Sequence, residues 1–306
     1  MRLPSRIPFM AIRNIAFAIT VVISLVGLGS LFKNGLNFGL DFTGGTLIEL
    51  AYEKPADLEL IKSELAEAGY RDAIVQSFGS TTDVLIRMAG DSPDLGTQVA
   101  DSLRKIDADT RFDVKRVEFV GPQVGEELRD QGGLAMLLAL GGILLYLAFR
   151  FQWKFGVGAV ASLAHDVIVT LGILAFFKVP FDLTVLAAVL AMVGYSLNDT
   201  IIIYDRIREN FRMLRKADVV ENIDVSVTQT LLRTMATSMS TAMALVALLV
   251  FGGDSLGGFA LTLLIGVVVG TYSSVYISAP VLIWLKLTSE DLIPPPAAAE
   301  GVDERP

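Results

Sequence analysis

The stretch that decides the fold is residues 134–177, LAMLLALGGILLYLAFRFQWKFGVGAVASLAHDVIVTLGILAFF. It holds two long apolar runs, 134–149 and 155–177, joined only by Arg150, Phe151, Gln152, Trp153 and Lys154. A helix rises about 1.5 Å per residue, so about 20 apolar residues cross a hydrocarbon core. The stretch therefore reads as a tight hairpin of two membrane spans with a basic turn. Working outward, four more runs qualify: 14–32, 183–204, 232–251 and 256–285. The apolar surplus, 53% of the 306 residues, lies in these blocks rather than being spread along the chain.

Cations set the expected orientation. Arg2, Arg6 and Arg13 precede the first run, Arg150 and Lys154 sit in the hairpin turn, Arg206, Arg208, Arg212, Arg215 and Lys216 follow the fourth run, and Lys286 follows the sixth. The alternate connections, 178–182 and 252–255, are poor in cations. Both termini are expected in the cytoplasm, with residues 33–130 outside, which means the periplasm in a cell with two membranes. The first run is long for a signal-peptide core, and no Ala-x-Ala site follows it, so it is expected to remain as a span. The expected organisation is a cytoplasmic start (1–13), a first span (14–32), a periplasmic domain (33–130), a membrane domain of five further spans (131–287) and a disordered, proline-rich cytoplasmic tail (288–306).

Residues 33–130 carry 11 Lys and Arg against 19 Asp and Glu, so the whole net charge of −8 belongs to this segment. An acidic surface argues against a nucleic-acid partner. Alternation predicts strands at 46–52, 72–78, 82–88 and 112–120, and apolar stripes predict helices at 55–69, opened by Pro55, and 94–106. Gly79-Ser80-Thr81 reads as the turn of a hairpin. The order β-α-β-β-α-β is that of a split βαβ, a ferredoxin-like α+β domain with two helices on one sheet face and the other face open. Residues 124–131 read as a short polar helix feeding the second span. The chain has no cysteine and one histidine, which excludes disulfides, thiolate sites and polyhistidine metal sites, and no Walker motif is present.

Ionisable groups inside spans are functional candidates, because a charge at the bilayer centre costs roughly 2.5–3.5 kcal/mol. Asp199 lies within the fourth span, flanked by Asn198 and Thr200, with Tyr195 and Ser196 one turn earlier. The bland alternative is a helix end that meets water. Arg233 opens the fifth span, and Thr237, Ser240, Thr241 and Ala244 follow on its face, a small polar stripe expected to aim into the bundle; the alternative is an interfacial anchor. His165 and Asp166 lie midway along the third span. As neighbours they point about 100° apart and are not expected to face one site; Asp166 is a second candidate for a relay or a structural network. Gly266, Gly270, Ser274 and Ser278 recur every fourth residue in the sixth span, a small-residue stripe suited to close helix packing.

Three motifs carry a resemblance. Gly39-Leu40-Asp41-Phe42-Thr43-Gly44-Gly45-Thr46 follows the first span, Val120-Gly121-Pro122-Gln123-Val124-Gly125 precedes the second, and Val193–Ile201 with Tyr204–Asn210 occupies the fourth. Together they resemble the SecD/SecF family of the bacterial Sec protein-export machinery, SecF more closely than SecD, over the chain to about Lys286. The resemblance implies an RND-like membrane fold, a SecD partner, association with YajC and the SecYEG channel, and use of the proton gradient (sodium in some members) to promote export of unfolded precursor proteins across the inner membrane. It also implies coupling roles for Asp199 and for Arg233, with an Asp199–Arg233 pair offsetting the cost of both charges. It implies no enzymatic activity and no cofactor. An RND-type small-molecule or lipid exporter and a scaffold that only stabilises SecD are the alternatives.

Overall fold

The computed structural model describes residues 6–78, 80–90, 92, 94–106, 111–214, 217–288 and 291–292. In chain order, a 3₁₀ turn (Phe9–Ile12) leads into α1 (Arg13–Asn34), followed by β1 (Asn37–Phe38), the single turn α2 (Leu40–Thr43), β2 (Gly45–Tyr52), α3 (Leu58–Glu67), β3 (Ile74–Phe78), β4 (Ser80–Met88), α4 (Leu95–Ile106) and β5 (Phe112–Val120). Then come α5 (Pro122–Arg150), α6 (Trp153–Phe176), β6 (Pro180–Phe181), α7 (Leu183–Met213), α8 (Val219–Phe251), α9 (Asp254–Ser273), a π-helical turn (Ser274–Ser278) and α10 (Ala279–Trp284). Six helical segments among the described residues are long and apolar enough to cross a membrane, and they fall on the six apolar runs. Contacts divide the described chain into two compact units. One takes in Asn37–Leu137 and Pro180–Leu186; the other takes in Met1–Leu36, Leu138–Val179 and Ala187–Pro306, so far as these are described.

The first unit is built on a four-stranded sheet of order β3-β4-β2-β5, with every neighbouring pair antiparallel. β4 lies between β2 and β3, the two strands that α3 connects, which is what splits a βαβ unit. One sheet face is apolar because β2 alternates: Ile48, Leu50 and Tyr52 point to the same side as Ile61 and Leu65 of α3 and Val99 and Leu103 of α4, and these close a core with Val84 and Ile86. The first helix starts later than Pro55 suggests. Asp57 is the cap, its carboxylate accepting from the backbone N–H of Glu59 and Leu60, since an aspartate satisfies donors that proline cannot. β4 already begins at Ser80; Gly79 of the expected turn lies outside the described residues. The other face is not open as expected: Leu47 and Leu85 pack there with Leu40 of α2, and beside them Glu49, buried in the central strand, lies 3.7 Å from Lys115 and 3.5 Å from Arg116, while Lys115 also meets Asp83 at 2.9 Å.

The membrane unit departs from the hydropathy reading in four places. The polar segment 124–131 and the second span form one helix, α5. The Gly132–Gly133 pair does not interrupt it, because a backbone entering hydrocarbon keeps its own hydrogen bonds. The fourth helix runs on to Met213, nine residues beyond the apolar run that ends at Tyr204. The fifth begins at Val219, thirteen residues before Leu232. Its first half reads as polar yet is buried, and most of its polar groups are satisfied locally: Asn210 donates to Ser226 Oγ (2.8 Å), Ser226 to Asn222 O (2.7 Å) and the Met10 backbone N–H to Asp224 Oδ1 (2.9 Å), while Asn222 Nδ2 and Thr234 Oγ1 have no partner. The sixth is broken by the π turn, where Tyr204 Oη donates to Ser278 O at 3.2 Å.

The expected disordered tail also differs where it is described. Asp291 Oδ2 accepts from Lys154 Nζ (2.6 Å), the Thr288 backbone N–H (2.8 Å) and Thr288 Oγ1 (2.9 Å), and Leu292 is buried. The Lys154 hydrogen bond, opposed by partial burial, holds the Asp291 carboxyl below its usual range. The remainder of the tail, 289–290 and 293–306, lies outside the described residues, as do Arg2, Arg215 and Lys216.

Leu65 is fully buried between α3 and the sheet. Leu65→Ala is expected to destabilise this unit by about 2–5 kcal/mol, read as lost hydrogen-exchange protection in β2 and β4. Asp83 provides a pH test. Its carboxyl is held below the ordinary range first by the hydrogen bond from Lys115, against a desolvation effect. A depressed folded-state pKa stabilises the fold above the unfolded value of about 3.9, and the effect disappears as pH falls through the folded value. Lys115→Met is therefore expected to lower the melting temperature at pH 7 and to leave it nearly unchanged at pH 2.

Candidate functional site

The Gly39–Thr46 signature forms a knot of backbone contacts inside the first unit. β1 pairs in parallel with β6, Asn37 opposite Pro180 and Phe38 opposite Phe181. Phe38, Phe42 and Phe181 close an aromatic trio with centroids 5.9 Å apart. Asp41 Oδ2 accepts from the Leu183 backbone N–H at 2.9 Å, so the signature aspartate caps the first turn of α7, helped by Asp182 Oδ1, which accepts from Val185 N (2.8 Å) and Thr184 Oγ1 (2.7 Å). Thr43 Oγ1 turns back to Gly39 O at 3.1 Å. The paired glycines have separate reasons. Gly44 (φ +65°) meets Gly125 so closely that a Cβ on Gly125 would lie 2.7 Å from Gly44 N. Gly45 has φ +111°, and a Cβ there would sit 2.5 Å from Met88 O. Arg87 Nη1 donates to Phe38 O (2.7 Å) and Asn37 Oδ1 (3.2 Å); burial pulls its guanidinium below the usual range, with Asp182 acting in the opposite sense.

In the membrane unit, Asp166 is fully buried midway along α6 and accepts on both oxygens: Oδ1 from His165 Nδ1 (3.0 Å), Oδ2 from Ser196 Oγ of α7 (2.5 Å) and Ser273 Oγ of α9 (2.8 Å). Ser162 Oγ extends the network to Ser273 at 2.9 Å. The expected divergence of His165 and Asp166 is thus overturned. Their Cα–Cβ bonds diverge, but the longer imidazole bends back to the carboxylate. The packing that permits this comes from the small-residue stripe. Gly270 lies against Ser196, where a Cβ would be 2.8 Å from the serine Cβ, and Gly266 leaves room for Met192. Ser274 and Ser278 are also buried, and both lie in the π turn, Ser278 Oγ donating to Ser274 O at 2.6 Å.

Asp199 is 1% exposed, sixteen residues into α7, and neither carboxylate oxygen has a donor in full hydrogen-bond geometry, the Ser238 hydroxyl being only a loose donor to it. Arg233 acts on it electrostatically but makes no ion pair with it within 4 Å. The expected Asp199–Arg233 pair is not formed. The reason is the rotation of α8: Arg233, Thr237, Ser240 and Ala244 are exposed, whereas Thr230, Thr234, Ser238 and Leu245 face inward. The polar stripe is real but points out of this chain's bundle. Ser238 lies beside Asp199 and shares its hydrogen bond with Thr271 of α9 at 2.8 Å. Asn198, next to Asp199, is exposed and is not brought into the site. Ser196, Ser238, Thr271 and Ser273 are the contributors that sequence reasoning had not ranked. For Ser238 the only signal was a second four-residue repeat of hydroxyls, one position away from the one followed.

Among the described residues, six helices long and apolar enough to cross a membrane, with an α+β domain built on a four-stranded sheet, define a polytopic membrane protein. Its relatives are specific. The family model described as protein export membrane protein SecD/SecF, C-terminal, matches residues 98–288, and that of the SecD/SecF GG motif matches residues 29–56. The chain belongs to the SecD/SecF family. It is 65% identical to the protein translocase subunit SecF of Pseudomonas aeruginosa over 300 residues, covering 98% of each chain, and 44% identical to that of Escherichia coli over 293 residues, covering 94% of this chain and 91% of the relative. The crystal structure of SecDF, a translocon-associated membrane protein from Thermus thermophilus, superposes with a TM-score of 0.83 at 36% identity, over 94% of this chain and 40% of that longer one.

The cap at Asp41 is directly testable. Asp41→Ala is expected to cost about 1 kcal/mol of local stability at the start of α7, and Asp41→Asn, which keeps an acceptor, less. Hydrogen exchange at the Leu183 amide measures both.

Proposed function

We propose that the chain acts as the SecF-type subunit of a protein translocase, paired with SecD and associated with the SecYEG channel and YajC. In this reading it uses the proton motive force to promote export of precursor proteins across the inner membrane. The names of its relatives support the translocase part. The cation distribution supports the orientation, with both termini cytoplasmic and residues 33–130 periplasmic.

The observation that carries the coupling reading is Asp199, a buried carboxylate in mid-span whose two oxygens have no donor in full hydrogen-bond geometry. Such a group needs a compensating charge. A proton, a small cation or the approach of Arg233 would each supply one, and exchange among these is what an ion-coupled switch requires. One elementary charge moved through 100 mV is worth roughly 2.3 kcal/mol, about a fiftyfold shift in a two-state equilibrium. The exposed Arg233–Thr237–Ser240 stripe supports a partner subunit, because a polar face on a spanning helix is costly against lipid. A scaffold that only stabilises SecD has no need of a buried carboxylate such as Asp199, and one ectodomain of this size is a poor enclosure for the cargo of a small-molecule exporter.

The test is precursor translocation into membrane vesicles, with and without an ion gradient, at matched SecD levels. Asp199→Asn is expected to remove the gradient-dependent component, at least tenfold, and to spare the rest. Equal gradient stimulation in mutant and wild type overturns the coupling role. A change in drug sensitivity without a change in secretion favours an exporter.

A further inference from the structure

Asp166 and Asp199 are buried in the same helical bundle in contrasting states. Asp166 accepts from three donors on both oxygens; Asp199 has no donor in full hydrogen-bond geometry and only the Ser238 hydroxyl beside it as a loose one. The two are connected along two routes. Ser196, whose hydroxyl is held by Asp166 Oδ2, lies three residues before Asp199 on α7, so the two share a face one turn apart. On α9, Ser273 is held by the same oxygen, and two residues earlier Thr271 holds Ser238, the α8 hydroxyl beside Asp199. Gly270, between these α9 contacts and Ser196, brings α9 onto α7 at the same level. The π turn starts immediately after Ser273, and such turns re-aim side chains where a regular helix would not.

We infer that Asp166 is a positioning residue for Asp199 and not a second carrier of the coupling ion: its three donors clamp α6, α7 and α9 together at the level where α7 presents Asp199 toward α8. The inference rests on Asp199 being the carrier. A carboxylate engaged by several donors is held firmly, and exchanging a proton there would break contacts to two other helices. Asp199 has no such contacts to lose. The outward face of α8, with Arg233 on it, remains the element free to respond to its charge.

The test uses the protein in membrane vesicles with its SecD partner, treated with dicyclohexylcarbodiimide, which modifies protonated carboxyls in apolar surroundings. Modified residues are located by peptide mass spectrometry. The expected result is an adduct on Asp199 and none on Asp166. Ser196→Ala and Ser273→Ala, milder than removing Asp166, are expected to make Asp166 reactive, to change the labelling rate of Asp199 severalfold and to reduce gradient-dependent translocation by more than half, at an unchanged yield of assembled complex. A purely structural role would lower the yield and leave the labelling of the assembled protein as in wild type. Labelling of Asp166 in the wild type at the rate of Asp199 overturns the inference, and so do serine variants that leave labelling and gradient dependence unchanged. Should Asp199→Asn retain gradient-dependent translocation, the carrier reading falls and the inference with it. Serine variants without effect, where Asp199→Asn is defective, overturn the inference alone.

Discussion

Inside a bilayer no water completes the hydrogen bonds of a buried polar group, so each such group must find its partners in protein. Asp166 shows how far this constraint organises the membrane unit. Its carboxylate needs donors, α6 alone supplies His165, and the others come from Ser196 on α7 and Ser273 on α9. Those serines reach it only if the helices approach closely. Gly270 therefore sits against Ser196 and Gly266 against Met192. The crossing of α1 and α6 follows the same rule, with Gly27 directly against Gly172. Association of helices in lipid has little hydrophobic drive, and close packing with polar contacts takes its place.

The first half of α8 obeys the same constraint by other means. It carries Asn222, Asp224, Ser226 and Thr230, all buried; Ser226 is met by Asn210, Asp224 by the chain before α1 and Thr230 by the carbonyls of its own preceding turn, while Asn222 Nδ2 is left without an acceptor. Arg6 pairs with Glu221 at 2.8 Å, the Ile7 backbone N–H donates to Thr228 Oγ1 at 3.0 Å, and Met10 is buried beneath. The Asp41 cap on α7 and the aromatic trio around it do comparable work in the other unit: they satisfy the exposed donors at a helix start and hold a two-residue parallel strand pair that could not persist alone. Asp199 stands out because it carries a carboxyl group: the other buried polar atoms left without a partner among the described residues of α7, α8 and α9, on Tyr195, Asn222, Thr234 and Thr262, belong to neutral side chains.

Much of the architecture was legible in the residues because its causes are local. Hydropathy over a span's length does not depend on what packs beside it, so the six runs were found with their order. Two-residue alternation and a capped amphipathic helix are likewise local, and they placed the strands and helices of the sheet domain to within a few residues. Asp166 and Asp199 announced themselves because a charge in an apolar run is anomalous wherever its partners lie. The buried half of α8 was not legible, since its sequence reads as polar and only its neighbours make it interior.

The sequence by itself determined the membrane class, the number of spans, the βαββαβ order and the identity of the intramembrane charges, because each follows from properties repeated along a few turns of chain. Only the tertiary structure decided which face of α8 looks inward, that His165 bends back to Asp166, that Asp199 and Arg233 do not pair, and that the last span yields to a π turn at Ser274–Ser278. The physical reason is that Thr230, Thr234 and Ser238 recur every fourth residue, the same spacing as Arg233, Thr237 and Thr241. A rotation of one residue, about 100°, separates them, and the inward choice is the one in which Ser238 meets Thr271 on the neighbouring helix.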